Sequence, residues 1–190
     1  MKRRITLFLA LLMASAFTSC STRIYSISSG YQPVLNNSVE TNKTKGEVIT
    51  QVLAFLTENG SSIGLVDRES GIITTNEESF LGKDTQIKNG TLIDADAYVV
   101  SGVPPKSLGN TNMMGDRIDP YEISGYWSVR ISEEGSITKV NIIASNLKCK
   151  YRKVVLGMAS STYVDVSVES TGVFENKLIN YRGLLKIKSL

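Results

Sequence analysis

Residues 44–75 read TKGEVITQVLAFLTENGSSIGLVDRESGIITT, and the punctuation of this stretch decides the fold class. Thr44 followed three residues later by Glu47 has the spacing of a capping box, in which the hydroxyl accepts from the Glu47 amide and the carboxylate accepts from the Thr44 amide. Val48, Ile49, Val52, Leu53 and Leu56 then recur at the period of one helix face. Asn59-Gly60 supplies the left-handed stop at which such helices end. Beyond it the pattern changes. Ile63 to Val66 and Ile72 to Thr75 are short β-favouring runs on either side of Asp67-Arg68-Glu69-Ser70-Gly71, a loop of turn formers, and they predict a hairpin. A helix with one apolar stripe to cover, followed at once by antiparallel strands, predicts an α+β domain.

The remainder of the chain extends that reading. Ile123 to Ile131 alternates, with Trp127, Val129 and Ile131 on one face and Tyr126, Ser128 and Arg130 on the other. Glu133-Glu134-Gly135-Ser136 is a turn that joins this run to Ile137–Leu147 in a second hairpin. Leu92 to Val100, Val154 to Met158 and Tyr163 to Val168 are further strand candidates, and Arg23 to Ile27 is an edge strand at most. Gly102 to Tyr121, with three prolines and Met113-Met114, reads as a long surface loop, or alternatively as a recognition loop that presents the methionine pair. Ser170 to Ile179 begins a second helix: Thr171 or Gly172 caps it, and Glu175 lies in the first turn, where the helix dipole favours a negative charge. Val173, Phe174, Leu178 and Ile179 form its stripe, and Lys186 and Lys188 suit its far end. The expected architecture is a curved antiparallel sheet packed around a helix, with a second helix at the C-terminus.

The beginning of the chain carries a different signal. MKRRITLFLALLMASAFTSC (1–20) has a basic start at Lys2, Arg3 and Arg4, an apolar run from Ile5 to Phe17, and small polar residues before Cys20, which is the layout of a secretory signal. The run is shorter than the roughly 20 residues a spanning helix requires. Phe17-Thr18-Ser19-Cys20 resembles a bacterial lipobox, which implies cleavage before Cys20 and lipid on that cysteine. Three segments are expected: a signal peptide over 1–19, a lipid-anchored tether over 20–44 and one α+β domain over 45–190. Ser21 after the cysteine suits release to the outer membrane in the lipoproteins this resembles. No acidic cluster of the kind used for surface export follows, so the expected location is the periplasmic face of the outer membrane.

Cleavage corrects the charge. Removing the 19 residues before Cys20 from a chain of 190 leaves 171, and the loss of Lys2, Arg3 and Arg4 from 21 basic side chains leaves 18 against 18 acidic ones. The formal charge of +3 thus falls to zero, and nucleic-acid binding, which rests on a basic excess, is not expected. With 42% hydrophobic residues this length buries a core unaided.

The run from Glu47 to Thr75, a capped helix ending in Asn-Gly, an apolar strand, an acidic turn with Ser70-Gly71 and then Ile72-Ile73-Thr74-Thr75, resembles the helix-grip modules in lipoproteins of the outer-membrane barrel-assembly machinery and related small periplasmic lipoproteins. The chain departs from them in holding one module rather than two and in lacking an aromatic residue early in the first helix. The resemblance implies a sheet that wraps a long helix. The expected function is that of a non-catalytic interaction or assembly module, held to the membrane by lipid on Cys20 and to an envelope protein by its domain. The alternative is a carrier of a small lipid, glycan or hydrophobic peptide in a helix-grip groove.

Chemistry in the sequence is sparse. The chain has no histidine, which removes Ser-His-Asp and Cys-His nucleophiles, the HExxH zinc site and the usual proton shuttle at neutral pH. No catalytic residue, metal site or cofactor is expected. Asp94 and Asp96, if on a strand, share a face; a solvated surface accounts for them as well as a cation does. Cys149 lacks an intrachain partner if Cys20 is acylated, and Lys148 and Lys150 beside it are of the kind that lowers a thiol pKa, although a half-buried strand position fits it better. Tyr98, Tyr121 and Tyr126, with Met113 and Met114, are the candidate contacts for a ligand or partner; Trp127 reads as core beneath the helix stripe.

Overall fold

A computed structural model of the chain describes residue 27 and residues 37–102, 117–154 and 161–181. The fold is α+β, mainly antiparallel, with one helix near the start of the described chain and a second near its end. Its spine is a long hairpin: β9 (Arg117–Glu134) turns at Gly135-Ser136 into β10 (Ile137–Val154), and the two stay paired to their far ends. Gly135 takes φ 66, as this tight connection demands. β1 (Ser38–Thr41) and β11 (Ser161–Asp165) both pair with the outer side of β10, β1 along Thr138–Asn141 and β11 along Lys150–Val154. On the other side, β3 (Ile72–Thr75) and then β4 (Glu78–Ser79) pair with β9, and β2 (Ile63–Asp67) completes that edge. A second sheet is formed by β5 (Asp84–Thr85), β8 (Val99–Ser101) and β12 (Val168–Ser170), with β5 and β8 parallel; β6 (Ile87–Lys88) and β7 (Thr91–Leu92) form a small ribbon.

Two bulges keep such a long hairpin folded over its core. Tyr126 faces Ser145 and Ser124 faces Lys148, so Asn146 and Leu147 together oppose Gly125. Asn146 adopts φ 51, a left-handed conformation that asparagine tolerates. The extra residue shifts the alternation of β10: Val140 and Ile142 are buried before it, Cys149 and Tyr151 after it. A second bulge, at Tyr121, lies between the pairs Lys150–Glu122 and Tyr151–Pro120. Pro120 is tolerated because β9 before Ile123 has no strand on its other side among the described residues.

α1 (Lys45–Glu58) has the ends that its sequence foretells. The Glu47 amide donates to the Thr44 hydroxyl at 3.4 Å and the Thr44 amide donates to the Glu47 carboxylate at 2.9 Å, closing the capping box. Gly60, at φ 82, donates to the Thr57 carbonyl and Ser61 to that of Leu56, the paired bonds of a Schellman stop. The buried face is Val48, Ile49, Val52, Phe55 and Leu56; Leu53 is only half-buried, so Phe55 rather than Leu53 completes the stripe. The helix start is also tied to two turns. The Lys45 amide donates to Glu133 at 2.8 Å, and the Lys45 ammonium donates to the Glu69 carbonyl at 2.6 Å. Within that second turn, the Ser70 hydroxyl and amide donate to Asp67 and hold its carboxyl below the usual range.

Six rings join the layers. Trp127 of β9 stacks on Phe174 of α2 (Val173–Asn180) with centroids 4.0 Å apart and planes 11° from parallel. Phe80 and Tyr98 meet the Trp127 ring edge-on, and Phe55 of α1 meets Phe174 at 5.1 Å and Tyr181 at 5.3 Å.

Several expectations are corrected. Leu92 to Val100 is not one strand: the chain turns at Asp94–Asp96, where the Asp94 carboxylate accepts from the Asp96 amide, an Asx turn that competes with strand pairing. The expected loop from Gly102 reaches no further than residue 116, since Arg117–Tyr121 already belong to β9. The run Tyr163 to Val168 divides between two sheets as β11 and β12. Ser38–Thr41, assigned by composition to the tether, is an edge strand on β10. Cys20, Arg23 to Ser26, Met113, Met114, Val155 to Met158, Lys186 and Lys188 lie outside the described residues.

Candidate functional site

The far end of the β9–β10 hairpin carries the most distinctive surface among the described residues. Tyr121 stands on its bulge, Arg152 follows on β10, and Tyr163, directly opposite Arg152, lies on β11. The bulge aims Tyr121 outward at 48% exposure, and Tyr163 is 50% exposed. Their rings meet edge-on with centroids 4.9 Å apart, and the Arg152 guanidinium lies 5.6 Å from the Tyr121 ring centre. Beside them Lys150 and Glu122 form a 3.0 Å ion pair, and the Glu122 carboxylate raises the Lys150 pKa. Two phenols and a guanidinium, prearranged by three strands, offer flat apolar area with donors at its edges. That is recognition chemistry, and among the described residues no group of three or more metal-ligating side chains occurs.

No protein-family model matches this chain, and no curated protein shows similarity to it.

Of the candidate contacts among the described residues, Tyr98, Tyr121 and Tyr126, only Tyr121 belongs to the surface cluster. Tyr98 is half-buried, with its ring against Trp127 and Phe174 and under the ammonium groups of Lys83 and Lys177 at 5.2 and 4.8 Å. Tyr126 is half-buried on the sheet face opposite Trp127. Trp127 is fully buried, as its place in the alternation predicts. Phe174 is in ring contact with both Phe55 of α1 and Trp127. Tyr163 and Arg152 escaped sequence reasoning, because Arg152 is 31 positions from Tyr121 and only strand register brings them together.

Cys149 takes the strand position expected of it, fully rather than half-buried. The thiol is buried within β10 and its pKa is pushed up to about 12 by desolvation, with Asp84 and Asp165 adding to the effect; the neighbouring lysines do not lower it. The consequence is measurable: at pH 8 Cys149 in the folded chain should resist iodoacetamide for hours and react in minutes once the protein is unfolded in urea. Rapid modification of the folded chain would contradict this burial.

Proposed function

We propose that the chain is a lipid-anchored, non-catalytic interaction module of the bacterial envelope, held by lipid on Cys20 at the periplasmic face of the outer membrane and binding an envelope protein through Tyr121, Arg152 and Tyr163. The observation that carries this reading is the pair of half-exposed tyrosines, with the Arg152 guanidinium against one of them, at the end of the β9–β10 hairpin. Tyrosine and arginine dominate binding energy at protein interfaces, and they do so where a scaffold holds them in advance. The signal-like start and the lipobox resemblance support the anchor. Acyl chains on Cys20 would supply position, at about 0.8 kcal/mol for each buried methylene. A helix-grip arrangement agrees with the burial of Val48, Val52 and Leu56 together with Ile73, Val129 and Ile131.

In-cell crosslinking of the full chain, detergent extraction and mass spectrometry of the captured partner test the proposal. A partner recovered with the wild type should be lost, at least tenfold, with the Tyr121→Ala/Tyr163→Ala double variant. Both side chains are half-exposed, so the variant should keep the wild-type circular dichroism. Undiminished capture would remove the cluster from the interface. Cys20→Ala should move the protein out of the membrane fraction, and full retention there would defeat the anchor.

A further inference from the structure

Among the described residues, the outer side of β10 is paired at both ends and has no strand partner in the middle. β1 pairs with it up to Asn141, with one further bond from the Ile142 amide to the Asn37 carbonyl, and β11 begins at Lys150, preceded by the bond from the Val166 amide to the Cys149 carbonyl. After Val166 the chain leaves β10, and β12 pairs with β8 in the second sheet. Between these covers lies a cleft of about 360 Å³, near the lower end of the range for small-molecule pockets. Its walls are Ile143, Ala144, Leu147 and Val168, and the bulge at Asn146 is what sets Leu147 there.

Glu175, a side chain 1% exposed, lines this cleft with the polar residues Asn37, Glu169 and Ser170 beside its apolar walls. Its position on α2, three residues before Leu178, places it on the buried face, where a residue of leucine or methionine type would fill the space without a polar atom. One oxygen is accounted for: Oε1 accepts from the Ser170 hydroxyl at 2.6 Å. The Ser170 oxygen in turn accepts from the Gly172 amide at 3.1 Å, and its single proton has a second acceptor in the Tyr98 carbonyl, at a longer 3.5 Å. Oε2 is buried and makes no hydrogen bond of good geometry among the described residues, the carboxyl's one further contact being the amide of Glu175 itself. An acceptor left unused in a buried site costs stability, and such a group in a folded protein calls for a function. Glu169, exposed at the same cleft, adds a second negative charge to its lining.

We infer that the cleft binds a small amphiphile with a primary ammonium head, the head donating to Oε2 of Glu175 and the alkyl body lying on Ile143, Ala144, Leu147 and Val168. An ammonium supplies the missing donor and the counter-charge together, whereas a carboxylate head would meet like charge from two glutamates. Burial raises the Glu175 pKa, and an adjacent cation favours the ionised form that binds it. The cleft shares no residue with the Tyr121–Tyr163 surface, so the two proposals stand or fall separately.

The test is a titration of the ¹⁵N-labelled chain from Cys20 onward with hexylammonium, hexanol and hexanoate, followed by amide shifts. Hexylammonium should give saturable shifts confined to residues 143–147 and 168–176, with hexanoate at least tenfold weaker. Glu175→Gln should lose at least tenfold in hexylammonium affinity while hexanol changes less than twofold. Ile143→Ser, at a wall position that is 45% exposed and therefore harmless to folding, should weaken both probes. Absence of saturable shifts, equal binding of hexanoate, or unchanged hexylammonium affinity in Glu175→Gln would overturn the inference. If Glu175→Gln does not fold, the contrast among the three probes on the wild type and the Ile143→Ser result decide it.

Discussion

Trp127→Ala is expected to cost about 3–5 kcal/mol, the usual loss when a large aromatic is cut out of a core, and to lower Tm by roughly 6–20 °C in a chain of this size. The ring is fully buried and touches three others: Phe174 by stacking, Phe80 and Tyr98 by their edges. Those contacts link β9 to α2 and to the segment before β8, so the cavity would lie where the two sheets and the second helix meet. Trp127→Phe should be much milder, at about 1–2 kcal/mol. The indole Nε1 is buried with no hydrogen-bond partner among the described residues, so a phenyl ring loses area but also removes an unsatisfied donor. Urea unfolding followed by far-ultraviolet circular dichroism is the measurement, since Trp127 is the chain's single tryptophan and both variants abolish its fluorescence. Equal losses for the two variants would mean that the ring stack is not what holds these layers.

Gly71→Ala should be nearly as damaging, at about 3 kcal/mol, through the backbone rather than through a cavity. Gly71 has φ 74, which costs an L-residue about 1–2 kcal/mol. Its Cβ would also collide with the carbonyl oxygen of Ile131, and the Lys45 side chain closes the other side at 2.8 Å. The Ile131 carbonyl cannot yield cheaply, because the Ile131 amide donates to the Gly71 carbonyl at 2.8 Å, whereas the end of the Lys45 side chain can swing aside. The comparison is Gly135→Ala at the hairpin tip, where φ is 66 but nothing lies within 4 Å; only the conformational cost of about 1–2 kcal/mol should appear there. Equal midpoints for the two alanine variants in urea would show that the collision is relieved by local movement.

Gly71 also marks the boundary between what was legible in the chain and what was not. Its role as a turn glycine follows from its neighbours, because Asp67 and Ser70 hydrogen-bond locally and Gly supplies the positive φ. That it abuts Ile131 does not follow, since sixty positions separate the two. The capping box at Thr44 and the stop at Gly60 were legible for the same local reason. So was the alternation that buries Trp127, Val129 and Ile131, because a strand with one covered face must write that face in its sequence. Leu53 and Phe55 were misassigned because both lie near the edge of the same stripe, and only the position of Phe174 and Tyr181 decides which edge is covered. Asp94 and Asp96 were placed on a strand by an alternation that an Asx turn mimics over three residues.

The functional candidates follow the same division. Tyr121 was named from its residue type, yet its ring gains Tyr163 and Arg152 only through the register of three strands and the bulge that re-aims it. Glu175 looked like an ordinary first-turn acid, since helix dipoles favour such a charge; the tertiary fold buried it. By itself the sequence determined the mixed α and β class, the ends of the first helix, both hairpin turns and which strand face is apolar, because each depends on interactions within a few residues. Strand order, the two bulges, the stretch of β10 without a strand partner among the described residues and the burial of Glu175 were decided only by tertiary structure, because they depend on which distant segments compete for the same backbone edge and the same apolar space.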